Sequence, residues 1–325
     1  MNKGESAISI ALTALLVLVV LGVQRRWNGS TFTNMASSAE DFVLHTTGLK
    51  SRIPDLPGFE RVKTFRLGSY RAALYRASPA PLVFAAYRFI LYNDQTQPVF
   101  KLDSVEATTQ PWTTLYDFGG TRGLPDFHKR GPTDYTRDLD HDGAPEILLG
   151  QYSGGDHCCT TVTVIELGKD SAKVLGRITG LDGLPFEGLD IRRLGASPPG
   201  YKLIAHRPYH TVCGLHADAA DVISIYDFQN GKITDQTGEF DKFLGSILQE
   251  NLAKWKNTKK RSLHLLQTLA TDYSATGEAA AGELFFEQNL PLFSSQLHSH
   301  GVDQHACLMD MANLINSVST KVSKD

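Results

Sequence analysis

An acidic loop that runs directly into an apolar strand is the feature that most constrains the fold of this chain. Alternating aspartates are followed by Gly143 and then by the apolar run Ile147-Leu148-Leu149. Because glycine adopts tight-turn conformations that other residues resist, Gly143 would fold the aspartates back around one point. Clustered hard oxygens suit calcium, and the alternative is a solvated acidic turn. The expected calcium ligands are the side chains of Asp138, Asp140, Asp142 and Glu146 and the carbonyl of Ala144.

Length and charge limit the class of protein. The chain has 325 residues, which is room for about two domains. It is 42% hydrophobic and 21% charged, an ordinary globular composition. A formal net charge of -3 gives no electrostatic basis for nucleic-acid binding, which would require a basic face.

The N-terminus carries an uncharged apolar run, Ala7–Val23, between Lys3 and Arg25-Arg26. Its length lies between that of a signal-peptide core and a full membrane span. No small-residue cleavage site follows it directly, so a retained anchor is favoured over secretion after signal cleavage. The arginine pair favours a cytoplasmic body, but the calcium loop and the pairable cysteines favour a body outside the cytoplasm, and we adopt the latter.

Composition divides the chain into four segments. Residues 1–27 are expected to form the transmembrane anchor or signal segment, and the polar residues 28–57 a linker. Residues 58–240 show strand patterns with turn signals, and residues 241–325 show helical spacing of apolar residues. The expected fold class is therefore mainly β, with blade-like antiparallel meanders, a C-terminal helical region and an N-terminal membrane helix.

Several strands and hairpins can be read locally. Phe89–Tyr92 and Val99–Leu102 flank a polar turn and predict a hairpin. The pattern of 146–167 then recurs: Leu203-Ile204-Ala205 aligns with Leu148-Leu149-Gly150, at an offset of about 55 residues, a plausible period for a four-stranded meander. Asn230-Gly231 predicts the next hairpin turn.

The acidic loop resembles the calcium loop of FG-GAP and VCBS-type repeats, as in integrin-like β-propellers. Their pattern, D-x-[D/N]-x-D-G-x-x-[D/E] before an apolar strand, matches at Asp138, Asp140, Asp142 and Glu146. An EF-hand is excluded because Leu149 stands where its closing glutamate would be. The stretch 152–159 also resembles the SGG-x-HCC segment of uncharacterised bacterial secreted proteins with these repeats. The resemblance implies a propeller-like architecture, calcium and an exterior location.

The cysteines and histidines near the second repeat allow two interpretations. Under the repeat offset, Cys158 corresponds to Cys213, which predicts a disulfide between Cys213 and either Cys158 or Cys159. Alternatively, metal-ligand spacing predicts a zinc or copper site. Its ligands would be His157, His210, Cys213 and His216. Buried free thiols and turn histidines remain the third interpretation.

Helical spacing dominates the end of the chain. It predicts a helix from Leu244 to Trp255, then helices over Leu263–Ser274, Glu278–Asn289 and His305–Val318.

The sequence contains no Gly-rich phosphate loop, HExxH, GxSxG or kinase-like motif. We therefore expect a membrane-tethered, calcium-binding β-repeat protein that acts as a non-enzymatic binding, adhesion or structural module, with a protein or glycan as ligand. The alternative is a metal- or thiol-dependent envelope enzyme that uses the region of His157, Cys158, Cys159, His210 and Cys213.

Overall fold

Three antiparallel sheets follow one another along the chain, and helices complete the fold. The computed structural model describes residues 53–77, 86–103, 112–118, 134–154, 159–183, 185–195, 200–214 and 218–322. The sheets and helices belong to one compact unit, Asp55–Asp325. Within the described parts of the chain, no helix is both long and apolar enough to cross a membrane. The predicted anchor Ala7–Val23 lies outside the described residues.

Each sheet consists of four strands that are consecutive in the chain and adjacent in space. The first sheet contains β1 (Phe59–Leu67), β2 (Tyr70–Ala77), β3 (Tyr87–Tyr92) and β4 (Pro98–Asp103). The second sheet contains β5 (Trp112–Leu115), β6 (Glu146–Tyr152), β7 (Thr160–Leu167) and β8 (Ala172–Leu181). The third sheet contains β9 (Leu189–Leu194), β10 (Gly200–Tyr209), β11 (Ala220–Gln229) and β12 (Lys232–Asp235).

Local turn chemistry fixes the register of these meanders. In the predicted β3–β4 hairpin, the Asn93 side chain accepts hydrogen bonds from the backbone N–H groups of Gln95 (3.1 Å) and Gln97 (2.8 Å). Asn230 and Gly231 join β11 to β12 with φ values of 52° and 65°, as two-residue hairpin turns require. Both predicted hairpins are confirmed.

The predicted repeat alignment is also confirmed. β6 and β10 are each the second strand of their sheets, and β7 and β11 are each the third. The first sheet has the same strand order and forms a third unit of the same kind.

Three apolar clusters join each sheet to the element that follows it in the chain. One draws on the first and second sheets, the next on the second and third sheets, and the last on the third sheet and the helices. Because neighbouring strand residues point to opposite faces, Leu149 of β6 joins the first cluster and Leu148 the second. Likewise, Leu203 of β10 faces the second sheet, whereas Ile204 packs with the helices. The third sheet and the helices thus share one core.

The helical layer begins immediately after a short 3₁₀ turn at Thr237–Phe240. It consists of α1 (Asp241–Asn257), α2 (Leu263–Ala275), α3 (Ala279–Asn289), α4 (Ser294–Ser299) and α5 (Gln304–Val322), with a second 3₁₀ turn at Leu290–Phe293 before α4. The Ser262 side chain caps α2 by accepting a hydrogen bond from the Leu265 N–H at 3.2 Å. The helices predicted from apolar spacing are present as α1, α2, α3 and α5.

Candidate metal centre

The acidic loop is closed at its base by a backbone pair. The Arg137 N–H donates to the Glu146 carbonyl (3.0 Å), and the Glu146 N–H donates to the Arg137 carbonyl (2.8 Å). At the other side of the base, the Leu167 N–H of β7 donates to the Pro145 carbonyl at 2.9 Å. The second sheet therefore fixes both ends of the loop.

Between these ends the chain reverses direction through two residues in the left-handed backbone conformation. His141 has φ 65° and Gly143 has φ 93°. The turn lets aspartate oxygens accept backbone N–H groups: Asp138 from Gly143 (3.2 Å), Asp140 from Asp142 (3.2 Å) and Asp142 from Ala144 (2.8 Å). The predicted folding of the three aspartates toward one another is present.

Glu146 lies at the bottom of this arrangement and is fully buried. Its Oε2 accepts a hydrogen bond from the Leu139 N–H at 2.7 Å. Its Oε1 is buried without a hydrogen-bond partner, as is Oδ1 of Asp138. Buried polar groups in folded proteins are almost always satisfied, so two orphan carboxylate oxygens in one cluster require an explanation.

The carboxylates form two overlapping groups, each with ligand atoms within 4.8 Å of one another. The first group is Asp138, Asp140 and Glu146, and the second is Asp140, Asp142 and Glu166. Glu166 was not among the predicted ligands. It lies on β7 directly opposite Glu146 of β6, so the register of the hairpin brings it to the site.

Electrostatics show that these carboxylates destabilise one another when no cation is bound. Burial raises the pKa of Glu146 to about 8; the Leu139 N–H opposes that shift, and the charges of Asp140, Asp138 and Asp142 add to it. Burial, together with the charges of Asp142 and Asp138, also raises the pKa of Asp140. A divalent cation would reverse both effects, and a donor set made only of oxygen suits calcium.

The tip of the loop contacts the third sheet. The His141 ring lies 5.8 Å from the ring of Tyr201 on β10. The Tyr201 hydroxyl accepts a hydrogen bond from the Arg193 guanidinium of β9 at 3.0 Å. The loop thus connects two sheets, since its base belongs to the second and its tip touches the third.

The predicted disulfide between Cys213 and Cys158 or Cys159 is wrong. Cys213, in the loop after β10, is bonded to Cys307 in the first turn of α5, with a Cα–Cα distance of 4.6 Å. The repeat offset compared corners of neighbouring sheets. The actual pairing is decided by the packing of α5 against α2 and α3, which brings Cys307 to the loop after β10. The Val212 N–H, which donates to the Asp310 carboxylate at 2.8 Å, holds α5 at the same place.

The predicted zinc or copper site loses its only thiolate, because Cys213 is buried in the disulfide. Among its other predicted ligands, His210 is exposed at the end of β10, and His157 and His216 lie outside the described residues. Cys159 is also disulfide-bonded, and Cys158 lies outside the described residues. Neither Cys159 nor Cys213 is therefore a free thiol for the alternative thiol-dependent enzyme.

No family model, curated protein or solved structure matches this chain. The likeness of the loop to FG-GAP and VCBS repeats rests on the residues of the loop itself.

Proposed function

We propose that this protein is a calcium-stabilised β-repeat module, tethered to a membrane with its body outside the cytoplasm, and that its role is binding, adhesion or structural support rather than catalysis. The observation that carries the calcium site is the pair of orphan oxygens, Glu146 Oε1 and Asp138 Oδ1, buried within one all-oxygen cluster.

A calcium ion in this cluster would give both orphan oxygens a partner and would cancel the repulsion among the carboxylates. Calcium takes six to eight oxygen ligands, more than one three-carboxylate group offers. The proposed ligand set is Asp138, Asp140, Asp142 and Glu146, the carbonyl of Ala144, and Glu166 from the neighbouring strand.

The position of the loop supports a structural role for the ion. Leu139, inside the loop, is fully buried in the apolar cluster between the second and third sheets. His141, at the tip, touches Tyr201 of the third sheet. A cation that holds the loop would therefore also hold the junction between these two sheets, and a propeller-like stack of sheets would present its surface to a protein or glycan ligand.

Two features support an exterior location. The apolar run Ala7–Val23 has the composition of a membrane anchor. The buried disulfide between Cys213 and Cys307 is of the kind that forms and persists in oxidising compartments.

Thermal unfolding of the full chain with calcium and with chelator tests the proposal. An ion that binds only the folded state adds about 2.7 kcal/mol at a hundredfold excess over its Kd, so calcium should raise the Tm. Asp140 belongs to both carboxylate groups, and Asp140→Ala should abolish the rise. Asp170→Ala, in the exposed hairpin turn after β7, is the matched control and should retain it. If millimolar calcium leaves the Tm of the natural chain unchanged, the calcium site is refuted.

A further inference from the structure

A buried carboxyl lies where the helical layer meets the third sheet. Asp272 is on α2, and only 5% of its surface is exposed. Its Oδ2 accepts a hydrogen bond from the Asn251 side chain of α1 at 2.8 Å. Among the described residues, no lysine, arginine or histidine forms an ion pair with it. Buried carboxylates are normally paired with a positive charge. Asp272 is instead hydrogen-bonded to the neutral amide of Asn251.

A second titratable pair faces the same joint from the sheet. His206 of β10 and Asp221 of β11 contact each other at 2.8 Å between Nδ1 and Oδ2. The backbone of Asp221 is tied to α2, because its N–H donates to Thr268 Oγ1 (3.1 Å) and its carbonyl accepts from Thr271 Oγ1 (3.3 Å). The pair is therefore fixed to the helix that carries Asp272.

The remaining charges around the joint are engaged with partners of their own. On α1, Lys254 pairs with Glu250 at 2.9 Å. On β9, Arg192 pairs with Asp190 at 2.7 Å, and its guanidinium lies 5.7 Å from the Phe243 ring of α1. Lys254 also donates to the side-chain oxygen of Asn251 at 3.2 Å. Asp272, His206 and Asp221 are therefore the groups whose protonation changes the charge at the joint.

We propose that the joint between α1, α2 and the third sheet is a pH-sensitive switch, closed while Asp272 holds a proton and His206 carries its positive charge, and loosened when both have lost their protons. In the deprotonated form, the carboxylates of Asp272 and Asp221 repel each other while the His206 imidazole is neutral.

The direction of both titrations agrees with this geometry. Burial raises the pKa of Asp272 to about 7; the Asn251 amide opposes the rise, the Asp221 charge adds to it, and the positive charges of Lys254 and His206 also oppose it. Burial would lower the pKa of His206, but the hydrogen bond to Asp221 and the charges of Asp221 and Asp190 together outweigh burial and raise it.

The sign of the pH effect follows from these shifts. A group that binds its proton more tightly in the closed form stabilises that form at low pH and loses the contribution as the pH rises. For Asp272 the loss extends from about pH 4, the ordinary range of an aspartate, to about pH 7, the value for the buried group. Above about pH 6.5, His206 loses the positive charge that attracts the ionised Asp272, which weakens the closed form further.

The opening should be local to α1. This helix covers Asp272 through Asn251, and it can admit water to the carboxylate by moving away from α2. Its buried side chains Leu244, Leu248 and Trp255 would then become exposed at the higher pH.

Hydrogen exchange on the full chain, at a fixed calcium concentration, tests the switch. Comparison at each pH between the natural chain and Asp272→Asn removes the intrinsic pH dependence of exchange. In the natural chain, the opening constant of the α1 amides should rise about tenfold per pH unit between about pH 5 and pH 7. In Asp272→Asn, which mimics the protonated carboxyl, that rise should be absent.

Glu287→Gln, which removes an exposed carboxylate from α3, is the matched control and should behave like the natural chain. His206→Gln should reduce the further rise above about pH 6.5. If the Asn variant does not fold, the natural chain alone decides: an opening constant for α1 that stays flat from about pH 5 to about pH 7.5 overturns the proposal. Equal protection of α1 in the natural chain and Asp272→Asn at neutral pH overturns it as well. Neither result depends on the calcium site.

Discussion

Replacing Glu146 with glutamine separates the structural role of this side chain from its role as a ligand. The two side chains have nearly the same shape, and glutamine can still accept the hydrogen bond from the Leu139 N–H. In the absence of calcium, a pKa of about 8 keeps the Glu146 carboxyl mostly neutral at pH 7. The neutral amide should therefore cost the calcium-free protein less than about 1 kcal/mol.

The result in calcium should be very different. A neutral amide cannot replace the buried carboxylate oxygen that has no other partner, so the variant should lose most of the stabilisation by calcium. At a hundredfold excess over Kd, that stabilisation is about 2.7 kcal/mol. For a protein of this size, each kcal/mol moves the Tm by about 2–4 °C. The expected loss is thus about 5–10 °C in calcium, and little in chelator.

Differential scanning calorimetry of four samples measures this: the natural chain and Glu146→Gln, each with calcium and with chelator. Asp170→Asn serves as a control for an aspartate in the same sheet but outside the cluster. A calcium-induced rise in Tm that survives in Glu146→Gln would refute the assignment of the orphan oxygen to a cation. A large drop in Tm in chelator alone would show that the carboxylate is needed for packing instead.

Two further predictions concern the backbone of the loop and the disulfide. Gly143→Ala should destabilise the protein by about 1–2 kcal/mol, because φ is 93° while no atom lies within 4 Å of the added Cβ; urea unfolding that shows no change would contradict the left-handed turn. Replacing Cys213 and Cys307 together with alanine should cost about 4–5 kcal/mol, since the bond closes a loop between residues 94 positions apart. Denaturant unfolding of that double variant checks it, with the intact chain under reductant as a comparison.

Features of the fold that depend on residues close together in the sequence could be predicted from the sequence. The β-branched residues of β7 favour a strand, and Asn230-Gly231 favours a hairpin turn through its own backbone preferences. The apolar spacing of α2 similarly identifies a helix. The acidic loop belongs to this class, because its aspartates bind backbone N–H groups at most five residues away.

Features that depend on packing could not be predicted. Glu166 reaches the carboxylate cluster only through the pairing of β6 with β7, and nothing in its own neighbourhood indicates a ligand. Cys307 pairs with Cys213 because α5 packs against α2 and α3 and so reaches the loop after β10. Asp272 is buried although it is ionisable, because α2 packs against both α1 and β11; Thr268 and Thr271 of α2 hydrogen-bond to the β11 backbone.

The bond between Cys213 and Cys307 also determines how the protein can come apart. Cys307 follows Cys213 by 94 positions, so the covalent ring closes only after α1–α4 and the start of α5 have been synthesised. A protease that cuts once between α1 and α4 would leave two fragments that migrate together on a gel until a reductant is added. For the same reason, the disulfide keeps α5 attached to the loop after β10 at every pH. The proposed movement of α1 would therefore be a local, reversible opening within a covalently closed segment, and the helical layer would not detach.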